Sequence, residues 1–315
     1  MLNTISEILK KQLLSHSATK NIATIEYLLY SYIENLTTLF VFLNNKSAPD
    51  FVALYAQKDL GQKILSVNQT LHEVLKENIV SPTLVSTIDD QVLIIYKYLP
   101  STTFYQRKIK DRKKLISKGL QLLLEITEIY LSKNNNYWTN EEVGLEIKKD
   151  LDIFNAHVKN DSLLDKLNKD LEHMLEYLSL KCLKFVRIPQ HGDYILGNMR
   201  FVKDKVYLFD FELVGDTNIP FYDFVTFLVS LPTEDSEIII NIKKRLRDDL
   251  YSDFTRKYAD LIKLDQNVLV MLSPFLLVKF YNNFLKPGYS TKTRALVYKI
   301  IENYYSSAES DKASV

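Results

Sequence analysis

In residues 2–16 the apolar positions Leu2, Ile5, Ile8, Leu9 and Leu13 fall near the helical period, with polar residues and lysines between them. That pattern predicts an amphipathic helix. Three stretches rich in β-branched and aromatic residues follow: TIEYLLYSY (24–32), TLFVFLNN (38–45) and FVALYAQ (51–57). IENLT and NKSAPD separate them, and the second carries Asn, Ser, Pro and Asp, so the three predict an antiparallel meander. Residues 60–79 return to helical spacing in Leu60, Ile64, Val67, Leu71, Val74 and Leu75, and 81–100 holds two more strands around Asp89 and Asp90.

Beyond Pro100 the period is helical: 112–133, 140–158 and 162–181, then 237–262, 267–285 and 291–307, with polar junctions at KNNNYWTN and KNDS. NIPFYDFVTFLVSLP (218–232) is apolar enough to be core of the larger part, and the last eight residues are expected to fray. The chain therefore reads as α+β. An N-terminal domain over 1–99 has a leading helix (2–16) and a sheet with one inserted helix (24–99). A mainly helical domain follows over 100–315. The change of character at 98–102 marks a hinge, and clefts between such lobes commonly hold ligands.

Charge narrows the functional classes. Forty Lys and Arg balance 39 Asp and Glu in 315 residues, which argues against a nucleic-acid partner. No apolar run reaches the roughly 18 residues of a membrane span, and the N-terminal segment lacks a signal peptide's continuous apolar core. A single cysteine, Cys182, excludes an intrachain disulfide and reads as a small core residue. The five histidines lack metal-ligand spacing. These features predict a cytoplasmic protein with no membrane partner. They leave its oligomeric state open.

The stretch HGDYILGNMRFVKDKVYLFDFE (191–212) carries the candidate chemistry. MRFV and VYLF flank the polar turn KDK and predict a β-hairpin. A hairpin returns the chain to its starting end, so Asp210 and Glu212 are expected near Asp193 and Asn198. Hard oxygen donors of this kind suit Mg²⁺, which takes one or two protein oxygens together with phosphate oxygens. Asn198 and Asp210 would supply them, while Asp193 accepts a hydroxyl proton. Asp, Asn five residues on and a further Asp after a hairpin is the arrangement of kinase-type phosphoryl transfer. Gly192 would let the backbone turn sharply beside the loop.

These residues resemble the aminoglycoside phosphotransferase and choline kinase family, whose catalytic loop reads H-G-D-x-x-x-x-N and whose metal segment reads D-x-E or D-x-D. Here they read HGDYILGN and FDFE, and the sheet-then-helices order extends the resemblance over about residues 20–305. It implies a two-lobed, protein-kinase-like fold with a small antiparallel-sheet lobe and a larger helical lobe carrying the catalytic hairpin. It implies Asp193 as the base, Asn198 and Asp210 as metal ligands, and His191 and Asp223 (in FYDF) as structural supports of the site. Glu212 becomes an accessory acid. The implied activity is transfer of the γ-phosphoryl group of ATP, or of GTP, with Mg²⁺, to a hydroxyl of a sugar, amino alcohol or aminoglycoside-like small molecule.

The family's phosphate-binding lysine on the third strand is missing. Its position falls at Leu54 or Tyr55, and the helix offers Asn68 where a partner Glu is expected, with Glu73 five residues on. Lys58 is the expected nucleotide-binding cation, with Lys63 as the alternative, since a lysine stem is long and flexible. The turn in SYIENLTT has no glycine, and Asn35, Thr37 and Thr38 would donate side-chain hydrogen bonds in its place. A catalytically silent pseudokinase that binds nucleotide or a partner is the competing reading. The clustered carboxylates favour an enzyme, because they repel one another without a cation. Glu141, Glu142 and Asp216 are candidate acids for a cationic acceptor, and Tyr137, Trp138 and Tyr222 candidate aromatics. None has a diagnostic spacing.

Overall fold

The computed structural model describes residues 2–15, 23–33, 35–106, 108–133, 136–181, 183–231, 242–246, 248–285 and 291–310. Cys182 and the first residues of the expected helix 237–262 lie outside them. The chain divides into two compact units, Met1–Thr102 with Arg200–Glu212, and Thr103–Met199 with Leu213–Val315.

The first unit opens with α1 (Leu2–Ser15) and continues through β1 (Ile25–Ile33), β2 (Leu36–Leu43), β3 (Phe51–Gln57), α2 (Lys58–His72), β4 (Pro82–Ile88) and β5 (Gln91–Lys97). The five strands form one sheet in the order β1-β2-β3-β5-β4, every pairing antiparallel. Alternation along β5 distributes its side chains to two layers. Leu93 and Ile95 pack with Leu39, Val41 and Ala53 against Leu9 and Leu13 of α1. Val92 and Ile94 join Ile64 of α2, with Leu54 packed beside them. The period of two thus gives each helix its own apolar face.

Gly61 permits the second contact, since a Cβ there would sit 2.5 Å from the Val92 Cβ. The turn without glycine is solved by Asn35 at φ 72°, a conformation asparagine tolerates better than most residues. Thr37 is buried in the sheet. The expected helix 60–79 stops at His72. Leu75 is buried after the helix, within turns held by bonds from Leu75 and Ile79 N–H to the carbonyls of Leu71 and Leu75, while Val74 is exposed. The apolar spacing survives there although the helix does not continue.

The second unit contains α3 (Ile109–Lys133), β6 (Tyr137–Trp138), α4 (Asn140–Val158), α5 (Asp161–Leu180) and β7 (Phe185–Val186). The hairpin β8 (Met199–Val202) and β9 (Lys205–Leu208) follows. The second unit then resumes with α6 (Tyr222–Ser230), α7 (Ile242–Leu246), α8 (Asp249–Ile262), α9 (Gln266–Asn283) and α10 (Thr291–Ser310). Strand β6, which falls in the junction KNNNYWTN, pairs with β7 beyond the 162–181 helix, and neither strand is expected from the sequence. The expected 237–262 helix is broken among its described residues, where the Asp248 side chain accepts the Leu250 N–H and starts α8 afresh. Helix α9 is apolar on nearly all faces and packs against α4, α5, α6, α8 and α10, as a helix without a polar stripe must. No single described helix is long and apolar enough to cross a membrane.

Candidate active site

In the second unit, the chain leading into HGD is pinned by main-chain bonds. Ile188 N–H donates to Asn218 O, Gln190 N–H to Thr217 O, and Gly215 N–H returns to Gln190 O. The buried Gln190 amide extends this frame: its Nε2 donates to Ile188 O, and its Oε1 accepts the Asp223 N–H. No spacing in the sequence singled out Gln190.

Asp223, near the start of α6, is buried and points its carboxylate back at the loop. It accepts the His191 N–H at 2.6 Å and the Gly192 N–H at 3.0 Å. Burial pushes its carboxyl up to about 7, against the downward pull of these two donors. Gly192 sits at φ 86°, where a Cβ would lie 2.7 Å from both Leu213 Cβ and Leu213 O. His191 is buried, and its Nδ1 lies 3.4 Å from the Asp193 nitrogen. The fully buried Tyr194 anchors the next step by donating to Gly119 O of α3 at 2.6 Å. Ser230 Oγ accepts the Leu196 N–H.

Asp193 is half-buried. Asn198 closes a single 3-10 turn (Leu196–Asn198), and its Nδ2 donates both to the Asp193 carbonyl (3.0 Å) and to Asp193 Oδ2 (2.8 Å). One carboxylate oxygen is thereby oriented. Phosphoryl-acceptor chemistry asks for a carboxylate held in this manner.

Asp210 and Glu212 belong to the first unit, with the hairpin. Asp210 has φ 68° and keeps an exposed surface, while the protein packed around it desolvates its carboxyl and raises it above the ordinary value. Two anchors flank it. Leu208 N–H donates to Asn78 O on one side, and on the other Lys63 Nζ donates to Glu212 O at 2.8 Å. Lys58 begins α2 with an exposed side chain, its N–H bonded to Asp90 O. Leu54 and Tyr55 are half-buried in β3 with no cation among them.

Taken one by one, the Asn198 amide and the Asp210 carboxylate are hard oxygen donors by their chemistry. Among the described residues no group of three or more His, Cys, Asp or Glu is placed to hold a metal unaided. An amide oxygen and a carboxylate are what Mg²⁺ takes from protein when phosphates complete its shell.

The candidate acceptor residues fare unevenly. Glu142 is engaged in the capping box of α4 with Thr139 and pairs with Arg187 at 2.6 Å. The Arg187 guanidinium lies 4.0 Å from the centre of the Trp138 ring. Tyr222 is fully buried and donates no open aromatic face, its hydroxyl accepting from Asn283.

Comparison with solved structures identifies the fold. A choline kinase from Cryptosporidium parvum matches with a TM-score of 0.63 at 12% identity, over 98% of this chain and 96% of that one. A spectinomycin phosphotransferase in complex with ADP and spectinomycin matches at 0.57 and 14% identity, over 95% and 97%. A macrolide 2'-phosphotransferase from Brachybacterium faecium matches at 0.53 and 12% identity, over 90% and 97%. The chain thus has the protein-kinase-like fold of the aminoglycoside phosphotransferases and choline kinases, as the HGD and DFE motifs led us to expect. No family model and no curated protein matches the sequence.

Proposed function

We propose that this chain is an ATP- and Mg²⁺-dependent phosphotransferase that phosphorylates a hydroxyl of a small molecule. The observation that carries the reading is the Asn198 amide bonded to both the main chain and the carboxylate of Asp193, on the fold of choline and aminoglycoside kinases. GTP is the alternative donor. One solved structure of this fold, a spectinomycin phosphotransferase, holds ADP, and two others are by name a choline kinase and a macrolide phosphotransferase.

In this reading Asp193 orients the acceptor O–H and takes its proton as the oxygen attacks the γ-phosphorus. The bond from the γ-phosphorus to the β–γ bridging oxygen breaks, and ADP leaves. Asn198 keeps the carboxylate aimed, and Asp223 holds the loop through His191 and Gly192. Asn198 Oδ1 and Asp210 are the proposed Mg²⁺ ligands, and Glu212 is an accessory acid. When bound, Mg²⁺ offsets the negative charge of the phosphates. Lys58, at the start of α2, is the proposed cation for the nucleotide. The balanced charge and single cysteine support a cytoplasmic enzyme.

Thermal shift with Mg²⁺ and ATP, against GTP and against EDTA, tests nucleotide binding through ligand linkage. A screen of sugars, amino alcohols and aminoglycosides finds the acceptor. Asp193→Asn is expected to cut turnover by roughly a hundredfold or more while sparing nucleotide binding. Asp210→Ala is expected to remove the Mg²⁺-dependent binding itself. If both variants match the wild type in both assays, the reading falls.

A further inference from the structure

The metal-binding segment is held at both ends by the first unit. Asn78 fixes the hairpin by donating from Nδ2 to Val206 O at 2.8 Å and by accepting the Leu208 N–H at 3.0 Å. Thr102 and Phe201 exchange both main-chain bonds on the other strand. Past the hairpin, Lys63 Nζ reaches the Glu212 carbonyl at 2.8 Å. Asp210 therefore stands midway between two tether points, each two residues away.

That placement matters because Asp210 is a non-glycine residue at φ 68°. A left-handed conformation is unfavourable for most residues, less so for Asp, and persists where surrounding bonds impose it. The Lys63 bond to Glu212 O is one of the contacts that hold this backbone two residues beyond Asp210. Lys63 suits the task. It is half-buried on α2, one residue before Ile64, whose side chain packs α2 onto β5. Its ammonium is thus carried on a fixed backbone.

Resting on the phosphotransferase reading, we propose that Lys63 is a positioning residue for the metal site: its bond to Glu212 O holds Asp210 in the conformation that presents its carboxylate to Mg²⁺. This role is separate from that of a cation touching the nucleotide phosphates. It links the helix of the small lobe to metal affinity through a main-chain carbonyl.

The test is calorimetric titration of ADP into the full chain, with Mg²⁺ and with EDTA, for wild type, Lys63→Met and Lys63→Arg. We expect Lys63→Met to weaken binding of Mg²⁺·ADP about tenfold or more, the loss of one charge-assisted bond. Binding of ADP in EDTA should change less than threefold, and Lys63→Arg, which keeps a charged donor, should recover most of the loss. Hydrogen exchange of the metal-free variant should quicken at residues 209–213 and not in the five-stranded sheet. If the methionine variant does not fold, Lys63→Gln is read on the same axes. Equal losses with Mg²⁺ and with EDTA, or no loss, overturn the proposal while leaving the phosphotransferase reading standing. A wild type that binds no Mg²⁺·ADP overturns both.

Discussion

The carboxylate of Asp223 accepts two consecutive backbone N–H groups, from His191 and from Gly192, so that one buried side chain of α6 fixes the turn leading into Asp193. The loop carries little regular secondary structure of its own. Its shape is imposed by Asp223 and Ser230, which bond to it from α6, and by its own Tyr194, which bonds out to Gly119 O of α3, while Gln190 braces Asp223.

Asp223 makes stability depend on pH. Its folded-state value of about 7 lies above the ordinary carboxyl range, with burial as the main cause. Folding therefore favours the protonated form. Its stabilisation is complete below about pH 4 and is lost as pH rises through 7. Asp223→Asn does not titrate, so the stability of wild type relative to this variant is expected to fall between pH 4 and pH 7. Urea unfolding of both proteins across that range measures it, and a constant difference would contradict the assignment.

Gly192→Ala puts a methyl group 2.7 Å from the Leu213 main-chain oxygen at a left-handed φ. Backbone cannot yield as a side-chain tip can. A loss of about 2–4 kcal/mol in chemical denaturation is expected, from overpacking plus the left-handed strain. A loss under about 0.5 kcal/mol would show that the loop moves freely there.

Lys279 of α9 lies 3.0 Å from Asp150 and 3.5 Å from Glu146, and its side chain and that of Asp150 are each 13% exposed. Asn282 also donates to Asp150. Lys279→Met leaves a carboxylate desolvated without its cation, at an expected cost of about 2–4 kcal/mol. Adding Asp150→Asn should recover at least half of that. Urea midpoints of the two single variants and the double variant decide it, and additive losses would exclude the coupling.

Arg187 covers Trp138, the only tryptophan in the chain. Arg187→Ala uncovers the indole, and its emission is expected to move to longer wavelength. The stability cost should stay near 1 kcal/mol or less, since the stack and the ion pair to Glu142 are both partly exposed. Unchanged emission would mean that the guanidinium does not rest on the ring in solution.

What the amino-acid sequence determined by itself was the order and type of the elements. The period of two in 24–57 and 81–100 and the helical period in 2–16 and beyond 112 each state which face of an element is buried, and burial of apolar surface dominates folding. The contact of Asp193 with Asn198 was equally legible, because the two are five residues apart in one loop. Only the tertiary structure decided which distant polar groups meet. Lys63 and Glu212 are 149 residues apart, Asn78 and Val206 are 128 apart, and Gln190 lies in no recognisable pattern. A polar side chain at a given position has many compatible partners in the sequence. The one it finds depends on the packing of every element between them, which no local pattern records.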